Sequence, residues 1–299
     1  MANATPLAVE RYGLNKRSAP SKKRAKMIWN SICVILVILF AAAVMLPIWW
    51  IIRSSLMSNT ELFIYPPPFF PIVWRFSNYA RTLETFRFWQ YFRTTMIIIV
   101  PSVVMGTLTA TMAGYAFARL RFRGKKIIFT LVIGSMLLPT MVTLIPLFLM
   151  WTRILGLGNT LWPLILPYFC GGGAFNIFLI RQFVLTIPRE LDEAATIDGA
   201  GPLRILTQII VPAIRPAMIV VGLLLFIMIW NDFLQQTVYI NTQENFTIAI
   251  GLAMFRSGFR ADWSAIMAAT CMSFLPGVVI YLIGQKYFVE GIVMTGMKN

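Results

Sequence analysis

The chain has 299 residues, of which 58% are hydrophobic and only 12% charged, and its mean hydropathy is +0.75. Soluble domains run at about 45–50% apolar and about 25% charged, so a water-soluble domain is excluded unless the apolar residues are scattered, and they are not. The net charge of +15 does not imply nucleic acid, because basic residues flank membrane spans and no aromatic-and-basic recognition module occurs. Histidine is absent, which removes His triads, His metal ligands and His proton relays together.

Residues 1–26 form a basic tail, with Lys16, Arg17, Lys22, Lys23, Arg24 and Lys26 ahead of the first apolar run. That pattern resembles the start of a signal peptide. The run that follows is too long for one, and no convincing small-residue cleavage site precedes Arg53. It therefore reads as a retained span. Crossing a membrane takes about 20 mostly apolar residues. Six runs qualify: 27–52, 94–116, 127–151, 161–180, 213–230 and 266–287. The expected fold is all-α, with six transmembrane helices. Residues 27–93 hold the first span and an outer loop, and 94–299 hold the core.

The outer loop contains "YPPPFFP" at 65–71, an extended backbone without helix hydrogen bonds. It suits a rigid connector or a contact for an outside partner. In the third and fourth runs, Pro139, Pro146, Pro163 and Pro167 are candidate kinks. "CGGG" at 170–173 suits either close helix packing or a break that lines a cavity. Cys33, Cys170 and Cys271 lie far apart in apolar runs, which argues against a disulfide framework or a zinc site. No metal site is expected.

The segments and flanks that would be cytoplasmic hold eighteen Lys and Arg, and the opposite segments hold eight. This bias predicts both termini inside the cell. The eleven acids all fall in tails, loops or span ends, none at mid-depth. A proton- or cation-coupled carrier commonly needs intramembrane carboxylates. The only "GKK", at 124–126, lacks the glycine and the Ser or Thr of a phosphate-binding loop. An energy source, if one is used, is then a separate chain. No nucleophile–base pair suggests an intramembrane enzyme, so no catalytic residue is assigned.

Four of the eleven acids sit in thirteen residues, "RELDEAATIDGAG" at 189–201, between the fourth and fifth runs. Pro188 suits a helix start, and Glu190, Asp192 and Glu193 suit its positive N-terminus. Gly199 and Gly201-Pro202 stop it. The expected element is a helix of about three turns lying off the membrane. Leu191, Ala194 and Ala195 share one face, made flat by alanine, and bordering acids can pair with a basic partner. The same pattern also suits an ordinary amphipathic linker.

The stretch 189–217, with Glu193-Ala194-Ala195, Asp198-Gly199-Ala200 and Ile210-Val211-Pro212, resembles the EAA loop of ATP-binding-cassette importer permeases. "WNDF" at 230–233, "SAIMAAT" at 264–270 and "YFVEGIVMTGMKN" at 287–299 resemble its carbohydrate, MalG-like branch. The similarity runs from about residue 54 to the end. It implies a type I importer permease fold with a cytoplasmic coupling helix, the loop covering about 181–212. It implies two permeases, this chain pairing with a different one, and two ATPase subunits that hold ATP and Mg. It also implies an extracytoplasmic solute-binding protein and a bacterial or archaeal inner membrane.

On that resemblance, Glu193, Ala194, Ala195, Asp198, Gly199 and Ala200 contact the ATPase. Gly296, Met297, Lys298 and Asn299 form a second contact, although "GMKN" departs from the family's usual ending. No cofactor is expected in this chain. For the solute path, Trp230, Asn231 and Asp232 combine an aromatic face with polar groups, as sugar sites do, yet they equally suit a membrane-interface cluster. Permeases for glycerol phosphate, polyamine or phosphate share the EAA loop and remain the alternative.

Overall fold

The computed structural model describes the backbone of residues 22–258 and 262–296, and side chains for 26–256 and 262–286. It separates into two units, Met1–Trp50 and Ile51–Asn299. Among the described residues every regular element is helical.

The first unit is the greater part of α1 (Lys22–Ser55), which contains Pro47 and no acid in its first turn. Its apolar side chains are exposed all round, from Met27 through Phe40 to Leu46. A helix apolar on every side belongs in lipid or against another chain.

The second unit is built on α3 (Phe88–Arg119), a helix of 32 residues and so about 48 Å long. It is preceded by the short α2 (Ser77–Phe86). One face of α3 carries Gly106, Ala110, Gly114 and Ala118, all buried and four residues apart. That stripe lets α6 (Ala174–Thr186) approach closely. A Cβ on Gly114 would stand 2.7 Å from Ile180 Cγ2 and 2.9 Å from the Arg181 nitrogen. Ile177, Ile180 and Val184 of α6 pack there, joined by Ile205, Ile210, Ala217 and Val221.

Four helical stretches are long and apolar enough to cross a membrane: Lys26–Ser55, Phe88–Arg119, Trp162–Thr186 and Trp263–Lys286. Two more arise if each bent pair counts as one span. The expected single run 127–151 is one of these pairs. It divides into α4 (Lys125–Ser135) and α5 (Thr140–Leu149), bent by 101°. Pro139 is the cause: it stands at φ −62°, ψ 132° immediately ahead of α5, and the residue before a proline avoids the helical region. Pro146 stays inside α5, followed by a π turn at Met150–Ile154. The other pair bends by 79° just before α8 (Arg215–Trp230), where Pro212 and Pro216 flank Ile214.

Within the fourth run, Pro163 and Pro167 start the short turns Trp162–Ile165 and Leu166–Cys170. The glycines then adopt φ of +90°, +59° and +106° in succession, a path that only glycine takes cheaply. Close packing and a break in the helix meet here. The helix is broken, and the break packs on α3, where the Gly171 N–H donates to Thr109 Oγ1 at 2.9 Å.

α7 (Glu190–Ile197) joins α6 to α8. α9 (Ile248–Gly258) and α10 (Trp263–Gly296) complete the unit. At the α3 N-terminus, Phe86, Phe88 and Tyr91 pack with Ile248, Phe255 and Ile266. The segment at 65–71 is tied down at its middle and just past its end, since Arg53 donates to the Pro68 carbonyl and the Ile72 N–H donates to Glu61. Asp262 gathers the same region. It accepts from Asn59 and Ser264 and pairs with Arg81 at 3.1 Å.

Candidate functional site

Chain direction sets the entry to α7. Ile187 is extended (φ −77°, ψ 133°) ahead of Pro188, so α6 ends there. The helix restarts at once, with the Asp192 and Glu193 N–H groups donating to the Arg189 carbonyl at 2.9 and 3.0 Å. Glu190, Asp192 and Glu193 occupy the first turn, where the helix dipole favours negative charge.

The exit is a Schellman cap. The Ala200 N–H donates to the Ala195 carbonyl at 2.9 Å, and the Gly199 N–H to the Thr196 carbonyl at 3.0 Å. This closure needs a left-handed residue after the cap, and Gly199 supplies it at φ +78°. The motif brings its third-from-last helical residue against the residue after the glycine. Those are Ala195 and Ala200, and both pack on the core. α7 therefore spans eight residues, about two turns instead of the expected three, because Asp198 already leaves the helix at ψ 6°.

The cap also changes which face looks outward. Ala195 turns inward, so Leu191, Ala194 and Ala195 do not share a free face. The exposed apolar surface is Leu191, Ala194 and Ile197, with Leu203 beyond the turn. Ile197 is 87% exposed and Leu203 68%. Sequence reasoning missed both, although two bulky aliphatics flanking "DGAGP" were the available signal. Among the acids, Glu190, Glu193 and Asp198 are exposed. Asp192 is not available to a partner as expected, since it pairs with Arg119 at 2.7 Å.

The element after the turn begins on Gly201-Pro202. The Ile205 N–H closes onto the Gly201 carbonyl at 3.0 Å, and Ile205, Leu206 and Ile210 enter the core. At the entry, the Arg181 Nε donates to the Phe117 carbonyl at 3.3 Å, and its guanidinium lies 4.4 Å from the Phe129 ring centre. The loop thus sits on the ends of α3, α4 and α6.

At the other end of α8, about 24 Å along its 16 residues, Trp230, Asn231 and Asp232 diverge. Trp230 stacks on Phe226, with ring centres 5.5 Å apart and planes 21° apart. Trp230 and Asn231 line a cleft of about 680 Å³ together with Phe233, Arg256, Trp263 and Thr270. Asp232 does not line it. Its Oδ1 instead accepts from the Gln235 N–H at 3.1 Å, capping the short helix Leu234–Tyr239. Burial raises this carboxyl above its ordinary pKa against the backbone hydrogen bonds that lower it. Of the proposed tail contact, Gly296 ends α10, while Met297, Lys298 and Asn299 lie outside the described residues.

The family model described as "Binding-protein-dependent transport system inner membrane component" matches residues 102–293. The chain is 30% identical over 275 residues to the diacetylchitobiose uptake system permease protein NgcG of Streptomyces coelicolor, covering 91% of this chain and 89% of that protein. It is 33% identical over 229 residues to the maltodextrin transport system permease protein MdxG of Bacillus subtilis, covering 76% and 81%. A chain from the crystal structure of a bacterial ABC transporter involved in the import of the acidic polysaccharide alginate superposes with a TM-score of 0.78 at 26% identity. That match covers 90% of this chain and 100% of that one. This chain belongs to the family of binding-protein-dependent transport system inner membrane components.

Proposed function

We propose that this chain is the membrane-spanning subunit of an ATP-driven sugar importer, lining half of the pathway and receiving its drive through α7. It pairs with a second, different permease chain. Two ATPase subunits hold ATP and Mg, and an extracytoplasmic binding protein delivers the solute. Both termini face the cytoplasm of a bacterial or archaeal cell. The carrying observation is the Schellman-capped α7, which turns Ala195 and Ala200 inward and leaves Leu191, Ala194 and Ile197 open beside Glu193. A short apolar helix edged by acids fits a groove on a soluble subunit, as amphipathic helices do. Glu193, Ala194, Asp198 and Gly199 belong to that contact surface. Ala195 and Ala200 support it from behind, and the tail from Gly296 to Asn299 adds a second contact.

The cleft at Trp230 and Asn231 is the solute-facing surface, because sugars stack on aromatic faces while a few polar groups orient them. The relatives named for diacetylchitobiose uptake and maltodextrin transport support the sugar class. Arg256 favours a second reading, an anionic saccharide. Among the described residues it is the one charged residue lining the cleft, and the similar solved chain comes from an alginate importer. Purifying the chain with its neighbours, and identifying by mass spectrometry the solute retained by the co-purified binding protein, tests both. A neutral oligosaccharide supports the first reading and a uronic-acid oligosaccharide the second. Co-purification without any ATPase contradicts the importer itself.

A further inference from the structure

A push on α7 could reach the spans along the chain, through α6 on one side and through residues 202–214 on the other. A third link joins it to α3. Asp192, in the first turn of α7, meets Arg119, the last residue of α3, with Nε and Oδ2 2.7 Å apart. The Arg119 and Asp192 side chains are only 6% and 17% exposed. The contact is ionic and not an aligned hydrogen bond, and Asp192 Oδ1 has no hydrogen-bond partner. The Arg119 Nη2 also donates to the Ile187 carbonyl at 2.7 Å, just ahead of Pro188. One guanidinium thus holds both the entry and the first turn of α7 on the end of α3. Burying a carboxylate is costly unless it is paired, so a loop that only displayed charge would leave Asp192 outside with Glu190 and Glu193.

The other end of α3 reaches the cleft. Tyr91 lies against α9 so closely that a Cβ on Gly251 would meet its ring. The same helix presents Leu252 and Arg256 to the cleft. α3 is therefore one continuous helix, with Pro101 inside it, that has the ion pair at one end and α9, a wall of the cleft, packed against the other. Such continuity makes a route possible, and only a coupling measurement demonstrates one.

We infer that Arg119 and Asp192 are positioning residues that lock α7 to α3, so that displacement of α7 moves α3 and with it the α9 wall of the cleft. This rests on the coupling reading above. The test uses the assembled transporter in lipid nanodiscs, with its binding protein purified together with the solute it retains. Two quantities are read: the fold-stimulation of ATP hydrolysis by the binding protein, and photo-cross-linking to the ATPase from benzoyl-phenylalanine at position 194. Asp192→Asn and Arg119→Gln keep the cross-link but lower the stimulation about tenfold, within the about 5–150-fold range of coupled sites. The exchanged pair Arg119→Asp with Asp192→Arg restores most of it.

Unchanged stimulation in Asp192→Asn overturns the inference. So does an exchanged chain that inserts normally yet stays as uncoupled as the single variants. Loss of the cross-link together with the stimulation also overturns it, since the pair then only seats the helix. If the unsubstituted pair gives no cross-link, the coupling reading itself fails and this inference falls with it.

Discussion

Gly199 holds the turn that shapes the candidate site. A Cβ there meets nothing within 4 Å, so the obstacle to substitution is the backbone at φ +78° and not space. A non-glycine residue in that conformation costs about 1–2 kcal/mol. Gly199→Ala is expected to loosen the Ala200–Ala195 closure, to leave membrane insertion normal, and to lower transport per ATP hydrolysed. Equal coupling in the variant would contradict that. The stop signal at Gly199 was legible because left-handed caps favour glycine. The inward turn of Ala195 was not, since it follows from a cap two hydrogen bonds long. Asp192 was read as a display charge because Arg119 is remote in sequence.

Asp262 was equally opaque. Burial pushes its carboxyl up, but Ser264, the Ala265 N–H, Asn59 and Arg81 outweigh this and hold its pKa below the ordinary value. A carboxyl depressed in the folded state stabilises above its ordinary pKa of about 3.9 and loses that contribution as pH falls through the lower folded value. Trp263 fluorescence is therefore expected to change below about pH 4, and Asp262→Asn to abolish that change. An identical acid transition in the variant would remove the assignment.

Among the elements, apolar length located the four helices long enough to cross a membrane and the two bent pairs, while proline and glycine decided their shape. The run 127–151 was apolar enough for one helix. Its break at Pro139 into α4 and α5 depends on whether neighbours support a kinked helix, which composition does not encode. Neither half fully buries a residue in this chain, so much of both is left to lipid or to another chain. The α3–α6 contact makes a sharper prediction. Gly114→Val places a side chain where Ile180 lies 2.7 Å away and is expected to cost about 1–3 kcal/mol, read as a lower detergent melting temperature. Gly134→Ala on α4, with nothing within 4 Å, is expected to leave that temperature unchanged or raise it. Equal losses in both would show that the stripe is not packed as described.

For the whole molecule, the all-helical membrane fold followed from composition, and the sidedness expected from Lys and Arg follows from the same counts. α1 and the α4–α5 arm are apolar and open, and Leu191, Ile197 and Leu203 are exposed in a loop beyond the spans. Lipid can cover the first two surfaces, whereas the three aliphatics in the loop call for another chain. Which partner covers each face is not written in the local sequence, because an interface uses ordinary apolar residues. The central claim is that α7 seats in an ATPase subunit, and photo-cross-linking from position 197 tests it most directly. With benzoyl-phenylalanine in place of Ile197, in membranes of cells making the whole transporter, the account predicts one adduct with the ATPase subunit. An adduct with the extracytoplasmic binding protein, or no ATPase adduct while the transporter remains assembled and active, would contradict it.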